Sequence, residues 1–266
     1  MNEAHPPRDL RSAILAAALE IRPAGYPDPE ALPAQAAPYG LEVRKLDALL
    51  REVTETQWGT TVVGGMTARE LIDHLTGHDA WFADALGLDV PAGAARTPER
   101  SYRAWREQAF ALLRHAVFTP VIDRVDFAGL SMAIGNAYLN RAFETWIHAD
   151  DIRLATGRPA DPPPAPHLRA LADLHIRSLP AALRMAQREH PGHAARITLT
   201  GAVSEDWIIS LSRTPAEPSV TITADALEFC YLAGNRRTPD AVPLTVTGDA
   251  DIAADLLAAM TFFSDE

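Results

Sequence analysis

The chain has 266 residues and a formal charge of −11 at pH 7, from 24 Lys and Arg against 35 Asp and Glu. Without a basic stripe to neutralise phosphates, this balance argues against a nucleic-acid partner. The hydrophobic content of 47% is ordinary for a globular protein, and no apolar run approaches the ~18 residues that a membrane span requires.

The cysteine content of the chain is minimal. Cys230 is the single cysteine, so the chain forms no internal disulfide and no multi-cysteine zinc knuckle. We therefore expect a cytoplasmic protein that does not bind a membrane, and the length allows two domains.

The first half of the chain has helical periodicity. A short amphipathic helix at residues 8–21 and a proline-rich loop come first, and we treat residues 1–40 as an N-terminal extension. Thr67 and Glu70 have the spacing of a capping box. Four longer helices are predicted, over residues 41–58, from Thr67 to about Gly87, over 99–118 and over 131–156. Joined by loops, they predict an antiparallel bundle over residues 41–160, where facing helices can form a ligand site.

A proline-rich run at residues 161–166 predicts a domain boundary. Beyond it, and after one more helix, the spacing of apolar residues changes from helical to alternating. Residues 167–188 predict a helix that Pro180 should kink or restart. Short alternating segments then predict strands, at residues 196–200, 207–211, 219–223 and 244–247. Asp225 and Asp249 are expected to cap two further helices. Residues 167–266 are thus predicted to form a small antiparallel sheet with helices, and the whole chain is of the α+β class.

Glu144 and His148 lie four residues apart in the fourth bundle helix, so their side chains leave the same face. A carboxylate and an imidazole placed in this way can hold one divalent ion between them. Such a pair is common on solvated helix faces, and a metal site needs a third ligand from elsewhere. His74, in the otherwise apolar second helix, is the candidate.

Two segments carry a family resemblance. LIDHLTGHDAWF contains His74, and RAFETWIHADDIRLATGRP contains Glu144 and His148. Together they resemble the mycothiol-dependent maleylpyruvate isomerase family of the DinB-like superfamily. The resemblance implies a DinB-like four-helix bundle in which these three residues bind a catalytic zinc ion.

The resemblance extends over about residues 41–263. VTITADALEFCYLAGNRRTPDAVPLTVTGD is similar to the C-terminal domain of that family, which has a sterol-carrier-like fold. There the family has an arginine after the LAG helix that faces the metal cleft. Arg236 is the best match and is predicted to be catalytic. Arg237 is the alternative, because Asn235 interrupts the usual spacing.

The donor set favours a reactive metal over a structural one. Two imidazoles and one carboxylate suit zinc, and three protein ligands leave a fourth position for water or substrate. The family supplies mycothiol as the thiol, so the resemblance implies a zinc-bound thiolate that adds to a small electrophilic substrate, in an isomerase or an S-transferase. Asp151 is predicted to orient an imidazole, His78 to line the pocket or support a ligand, and Arg141 to pair with a neighbouring acid.

Other interpretations are open at this point. A metal-stabilised bundle with a sterol-carrier-like domain is also compatible with a non-catalytic binding module. Zinc-bound water would instead make a hydrolase, and His78 as a fourth ligand would close the site. Trp81, Phe82 and Trp146 are expected in the core, and the protein is expected to be a monomer or a homodimer.

Overall fold

The computed structural model describes residues 26–90, 97–118, 124–127, 130–211 and 217–261. Its N-terminal part is a helical bundle with two short hairpins. In chain order the elements are α1 (Ala37–Glu52), α2 (Glu55–Trp58), β1 (Thr61–Val63), β2 (Met66–Thr67), α3 (Ala68–Ala85), α4 (Pro98–Phe118), β3 (Arg124–Phe127), β4 (Leu130–Ala133) and α5 (Ile134–Ala155). The helix predicted at residues 8–21 lies outside the described residues.

The helix boundaries follow local capping chemistry. The predicted helix over residues 41–58 is in fact two helices, because Val53 is extended and Thr54 begins a new capping box with Gln57. The predicted capping box at the start of α3 is confirmed, since the Thr67 side chain accepts from the amide of Glu70 and the Glu70 carboxylate accepts from the amide of Thr67. The predicted start of α5 at residue 131 was too early, because residues 130–133 pair with β3 instead.

The central helix of the bundle is α5. It packs on α1 and contacts α3 and α6, while α3 packs along α4. As predicted, Trp146 and Phe82 are buried in the core. The prediction for Trp81 is wrong, because its side chain is 57% exposed. The inward position on this turn of α3 is taken by Phe82, which leaves its neighbour on the outer face.

Within the described residues, the C-terminal part has three α-helices and a four-stranded sheet. Its elements are α6 (Ala165–Met185), β5 (Ala194–Thr200), β6 (Glu205–Ser210), β7 (Pro218–Asp225), α7 (Ala226–Ala233), β8 (Thr245–Gly248) and α8 (Ala250–Ala259). Asp225 and Asp249 cap α7 and α8, as predicted. Pro180 lies within α6, which does not restart there.

The sheet is mixed, which corrects the prediction of an antiparallel one. The strand order is β6-β5-β7-β8, and the central strands β5 and β7 run parallel. The strand β6 forms a hairpin with β5, and the chain then crosses to the other edge of β5 before β7 begins. Alternating side chains identify a strand and its inner face, but they carry no information about strand order or direction.

The proline-rich connector is fixed to the bundle by ion pairs at Asp161. Its carboxylate lies 3.2 Å from Lys45 Nζ and 3.1 Å from Arg153 Nη2. Asp150 accepts from the amide of Asp161 at 3.1 Å and from the hydroxyl of Tyr231 at 2.8 Å. These contacts hold α7 against the end of α5. In the described part of the chain, no helix is both long and apolar enough to cross a membrane.

Candidate metal centre

Three potential metal ligands meet between α3 and α5. His74 comes from α3, and Glu144 and His148 come from successive turns of α5. Each contributes one ligand atom, and these atoms all lie within 4.8 Å of one another. His148 Nε2 is 3.4 Å from a Glu144 carboxylate oxygen. The rings of His74 and His148 meet edge to face, with centroids 5.3 Å apart. One ion can therefore be bound by all three after small side-chain adjustments.

His78 lies beside this group and is not one of its three members. Its ring packs on His74 at a centroid distance of 4.3 Å and stacks on Trp81 at 4.8 Å. Burial and the nearby positive charge of Arg141 lower the pKa of His78 to about 4, so the ring is neutral at pH 7. This position fits a residue that lines the site, and three protein ligands remain.

A carboxylate supports the far side of the His148 ring. Asp151 Oδ2 is 3.1 Å from His148 Nδ1, which leaves Nε2 directed towards Glu144. Arg236 binds the same carboxylate with two donors, Nε at 2.8 Å and Nη2 at 2.6 Å. The arrangement fixes the ring orientation and the tautomer that a metal ligand needs.

Arg236 and its neighbour Arg237 differ in exposure and in their partners. The side chain of Arg236 is 12% exposed and lies on α5, whereas that of Arg237 is 44% exposed and pairs with Glu228 at 3.5 Å. Arg236 is bound to Asp151 beside His148. Its role in catalysis stays a prediction.

The turn after α7 explains how Arg236 reaches α5. A Cβ added at Gly234 would lie 3.1 Å from Ile147 Cδ1 and 3.3 Å from Phe143 Cζ, so a larger residue would require these side chains to shift by a few tenths of an ångström. Asn235 follows with a φ of +55°, a left-handed conformation that asparagine tolerates better than most residues. The residue that interrupts the family spacing is the one that turns the chain back.

A second buried polar group lies next to the candidate ligands. Arg141, one turn before Glu144, donates from Nε to Asp79 Oδ1 at 2.8 Å, and both side chains are fully buried. Tyr39 donates to the other oxygen of Asp79 at 3.0 Å. The predicted pairing of Arg141 with an acid is confirmed. Sequence reasoning missed both Tyr39 and Asp79. Tyr39 lies just before the predicted start of the first bundle helix. Asp79 could have been found, because it is an acid on an otherwise apolar helix face.

The charges of the pair on α5 are strongly coupled. Burial raises the pKa of Glu144, but the hydrogen bond and charge of His148, together with Arg141, outweigh this effect and lower it to about 2. Burial lowers the pKa of His148, but its hydrogen bonds with Asp151 and Glu144 raise it to about 9. Without a metal, therefore, both groups are charged at pH 7.

Zinc binding at pH 7 is expected to release about one proton, because a metal can bind only the neutral imidazole of His148. Apparent zinc affinity should increase with pH up to about 9, where His148 loses its proton in the metal-free protein. Protonated His148 stabilises the metal-free fold, and this contribution depends on pH in the opposite direction. It is fully present below pH 6.5 and is lost as the pH rises through about 9.

Calorimetric titration of zinc at pH 7 in two buffers of different ionisation enthalpy measures this proton. An observed enthalpy that does not depend on the buffer would contradict the expected release.

The fold and the site define a class of protein: a helical bundle with a candidate His-Glu-His metal centre, followed by an α+β unit. Residues 39–153 match the family model described as the mycothiol maleylpyruvate isomerase N-terminal domain. The match spans α1 to α5 and includes all three candidate ligands. The helical bundle therefore matches the N-terminal domain described for the mycothiol maleylpyruvate isomerase family.

The chain also resembles two curated relatives in sequence and two solved structures in fold. Two curated relatives, uncharacterized proteins from two strains of Mycobacterium tuberculosis, are 25% identical over 228 residues, which cover 77% of this chain and 86% of each relative. Crystal structures of the mycothiol-dependent maleylpyruvate isomerase and of a mutant of it align with TM-scores of 0.52 and 0.51. Each alignment covers 81% of this chain and 93% of the solved chain at 16% identity, so the likeness is one of fold.

Proposed function

We propose that this protein is a zinc-dependent enzyme that uses mycothiol as its thiol co-substrate. The thiol sulfur adds to an electrophilic carbon of a small substrate. In a maleylpyruvate isomerase-like reaction, the adduct rotates about the former double bond and then expels the thiol; in an S-transferase reaction, the conjugate is released. The observation that carries the proposal is the convergence of His74, Glu144 and His148 within 4.8 Å in a chain whose helical bundle matches this family.

The donor set of this site fits zinc. Two imidazole nitrogens and one carboxylate oxygen are common zinc ligands, and three protein ligands are typical of a catalytic ion with an open position. His148 also has the carboxylate partner on its second nitrogen that zinc-bound histidines usually have. The side chain of Glu144 is 19% exposed and that of His148 is 3% exposed, so the site opens on the side of Glu144 rather than on the side of His148.

The chain's own thiol cannot be the nucleophile. Cys230 is fully buried in α7, and burial raises the pKa of its thiol far above neutrality. An external thiol is therefore required, and mycothiol is the one named for the family. When bound, zinc would lower the pKa of that thiol and make it nucleophilic at neutral pH. The need for a reduced thiol is also why a cytoplasmic location forms part of the proposal.

The residues around the candidate ligands hold those ligands in position and do not themselves react. Asp151 holds His148 in the tautomer that presents Nε2, and Arg236 holds Asp151 in turn. We therefore propose a positioning role for Arg236 in place of a direct clamp on the substrate. The neutral ring of His78 adds no charge that would repel a cation.

The variant Arg236→Ala is expected to weaken zinc binding by roughly 10- to 100-fold, the usual cost of losing a group that supports a metal ligand. The neighbouring Arg237→Ala removes the same charge from a more exposed position and should leave zinc affinity unchanged. Competition with a chromophoric chelator measures both. Equal affinities for the two variants would contradict the positioning role.

The proposal is tested by the thiol dependence of turnover. Zinc-loaded protein should isomerise maleylpyruvate, or consume a related electrophile, only when mycothiol is present. Turnover without a thiol would indicate zinc-water hydrolysis instead. Protein that lacks zinc and co-purifies with lipid would indicate a non-catalytic carrier, and either result would overturn the proposal.

A further inference from the structure

Aromatic rings form a column from the protein surface to the candidate metal centre. Trp81 stacks on His78 at a centroid distance of 4.8 Å and an interplanar angle of 28°. His78 packs on His74 at 4.3 Å, and His74 meets His148 edge to face at 5.3 Å. We call Trp81, His78 and His74, on three successive turns of α3, the ring column.

The outer end of the ring column is open, whereas the opposite side of the site is closed. Trp81 is 57% exposed although it is a large aromatic residue. On the other side, His148, Asp151 and Arg236 are nearly buried and bound to one another. A molecule whose reactive atom reaches the three ligands must therefore leave most of its bulk on the side of Glu144 and the ring column.

We propose that Trp81 is a ligand-binding residue, against whose exposed indole face the non-reacting body of the thiol co-substrate packs. This inference rests on the proposed function. A thiol offers one sulfur atom to the metal, so its affinity and selectivity must come from contacts made by the rest of the molecule.

The chemistry of the indole defines what it can recognise. Its face is apolar with a negative quadrupole, and its ring already stacks on His78 at an interplanar angle of 28°. It suits the C–H-rich face of a polyhydroxylated ring or a planar group, and it offers nothing specific to a compact anion. The ring column would thus favour a thiol with a bulky cyclic body over a small thiol such as 2-mercaptoethanol.

The test is calorimetric titration of mycothiol into zinc-loaded protein without any electrophile. We expect Trp81→Ala to bind mycothiol about tenfold more weakly than the wild type, and Trp81→Phe to recover most of the affinity. Binding of 2-mercaptoethanol should be the same in all three proteins. Leu154→Ala removes another exposed apolar side chain, from α5, and should bind mycothiol as the wild type does.

The outcomes separate this inference from the proposed function. Unchanged mycothiol affinity in Trp81→Ala, with one zinc per chain still bound, would overturn the role of Trp81 alone. The role of Trp81 in thiol binding would also be overturned if Trp81→Ala raised only the KM of the electrophile. It would equally be overturned if the variant only converted a dimer to a monomer in sedimentation. Wild-type protein that binds zinc but no mycothiol would overturn both proposals.

Discussion

Replacement of Glu144 with Ala should lower zinc affinity by more than 100-fold. The carboxylate is one of three protein ligands, and loss of a group that merely supports a ligand already costs roughly 10- to 100-fold. It is also the anionic member of this group of three described residues, so the remaining His74 and His148 would have to bind the cation with neutral donors. Equilibrium dialysis against zinc at fixed pH, followed by elemental analysis, measures the change.

A matched variant separates this effect from a general loss of negative charge. Glu189→Ala removes an exposed carboxylate outside the site and should keep one zinc per chain. Thermal unfolding without zinc should show that Glu144→Ala remains folded. Zinc affinity in Glu144→Ala equal to that in Glu189→Ala would remove the carboxylate from the metal centre.

The largest stability loss is expected for Asp79→Ala. Arg141 would then be a fully buried cation without its partner, and breaking a buried pair in this way costs about 3–5 kcal/mol. Neither Nη1 nor Nη2 of Arg141 has a hydrogen-bond partner among the described residues, so no second hydrogen bond remains when the carboxylate is lost. The nearby charge of Glu144 offsets part of the cost. Tyr39 would also lose the acceptor of its hydroxyl.

Urea unfolding of the zinc-free protein measures this loss, and the same helix provides a control. Asp73 pairs with Arg69 at 2.7 Å on a part-exposed face of α3. Such pairs contribute about 0–1 kcal/mol, so Asp73→Ala should have a small effect. A loss of the same size in both variants would show that the buried pair is not a special determinant of stability.

The elements of the fold were predictable where the signal is local. The capping box at Thr67 and the caps at Asp225 and Asp249 are fixed by a few adjacent residues, and the structure has all three. The parallel pairing of β5 with β7 was not predictable, because it depends on how the chain crosses the sheet. Trp81 was misplaced because Trp81 and Phe82 are adjacent and equally apolar, so periodicity alone does not decide which one faces inward.

The candidate site also has parts that could be predicted from the sequence and parts that could not. Helical spacing placed Glu144 and His148 on one face, but the third member of the group is in another helix. His74 was a candidate because it lies in an otherwise apolar helix, and the family resemblance then connected it to the pair. The contact of Arg236 with Asp151 depends on the turn through Gly234 and Asn235. This turn combines a left-handed residue with a glycine that packs closely against α5. Both features depend on how α7 approaches α5 in three dimensions, and the spacing of residues in the sequence does not reveal that.

Zinc K-edge X-ray absorption of the zinc-loaded protein, recorded with and without mycothiol, examines the metal centre directly. We predict nitrogen and oxygen neighbours alone in the absence of the thiol, from two histidines, one glutamate and solvent. Addition of mycothiol should introduce one sulfur neighbour at about 2.3 Å. A third imidazole in the thiol-free spectrum, from His78, or no sulfur at saturating mycothiol would contradict an open zinc site that binds the thiol.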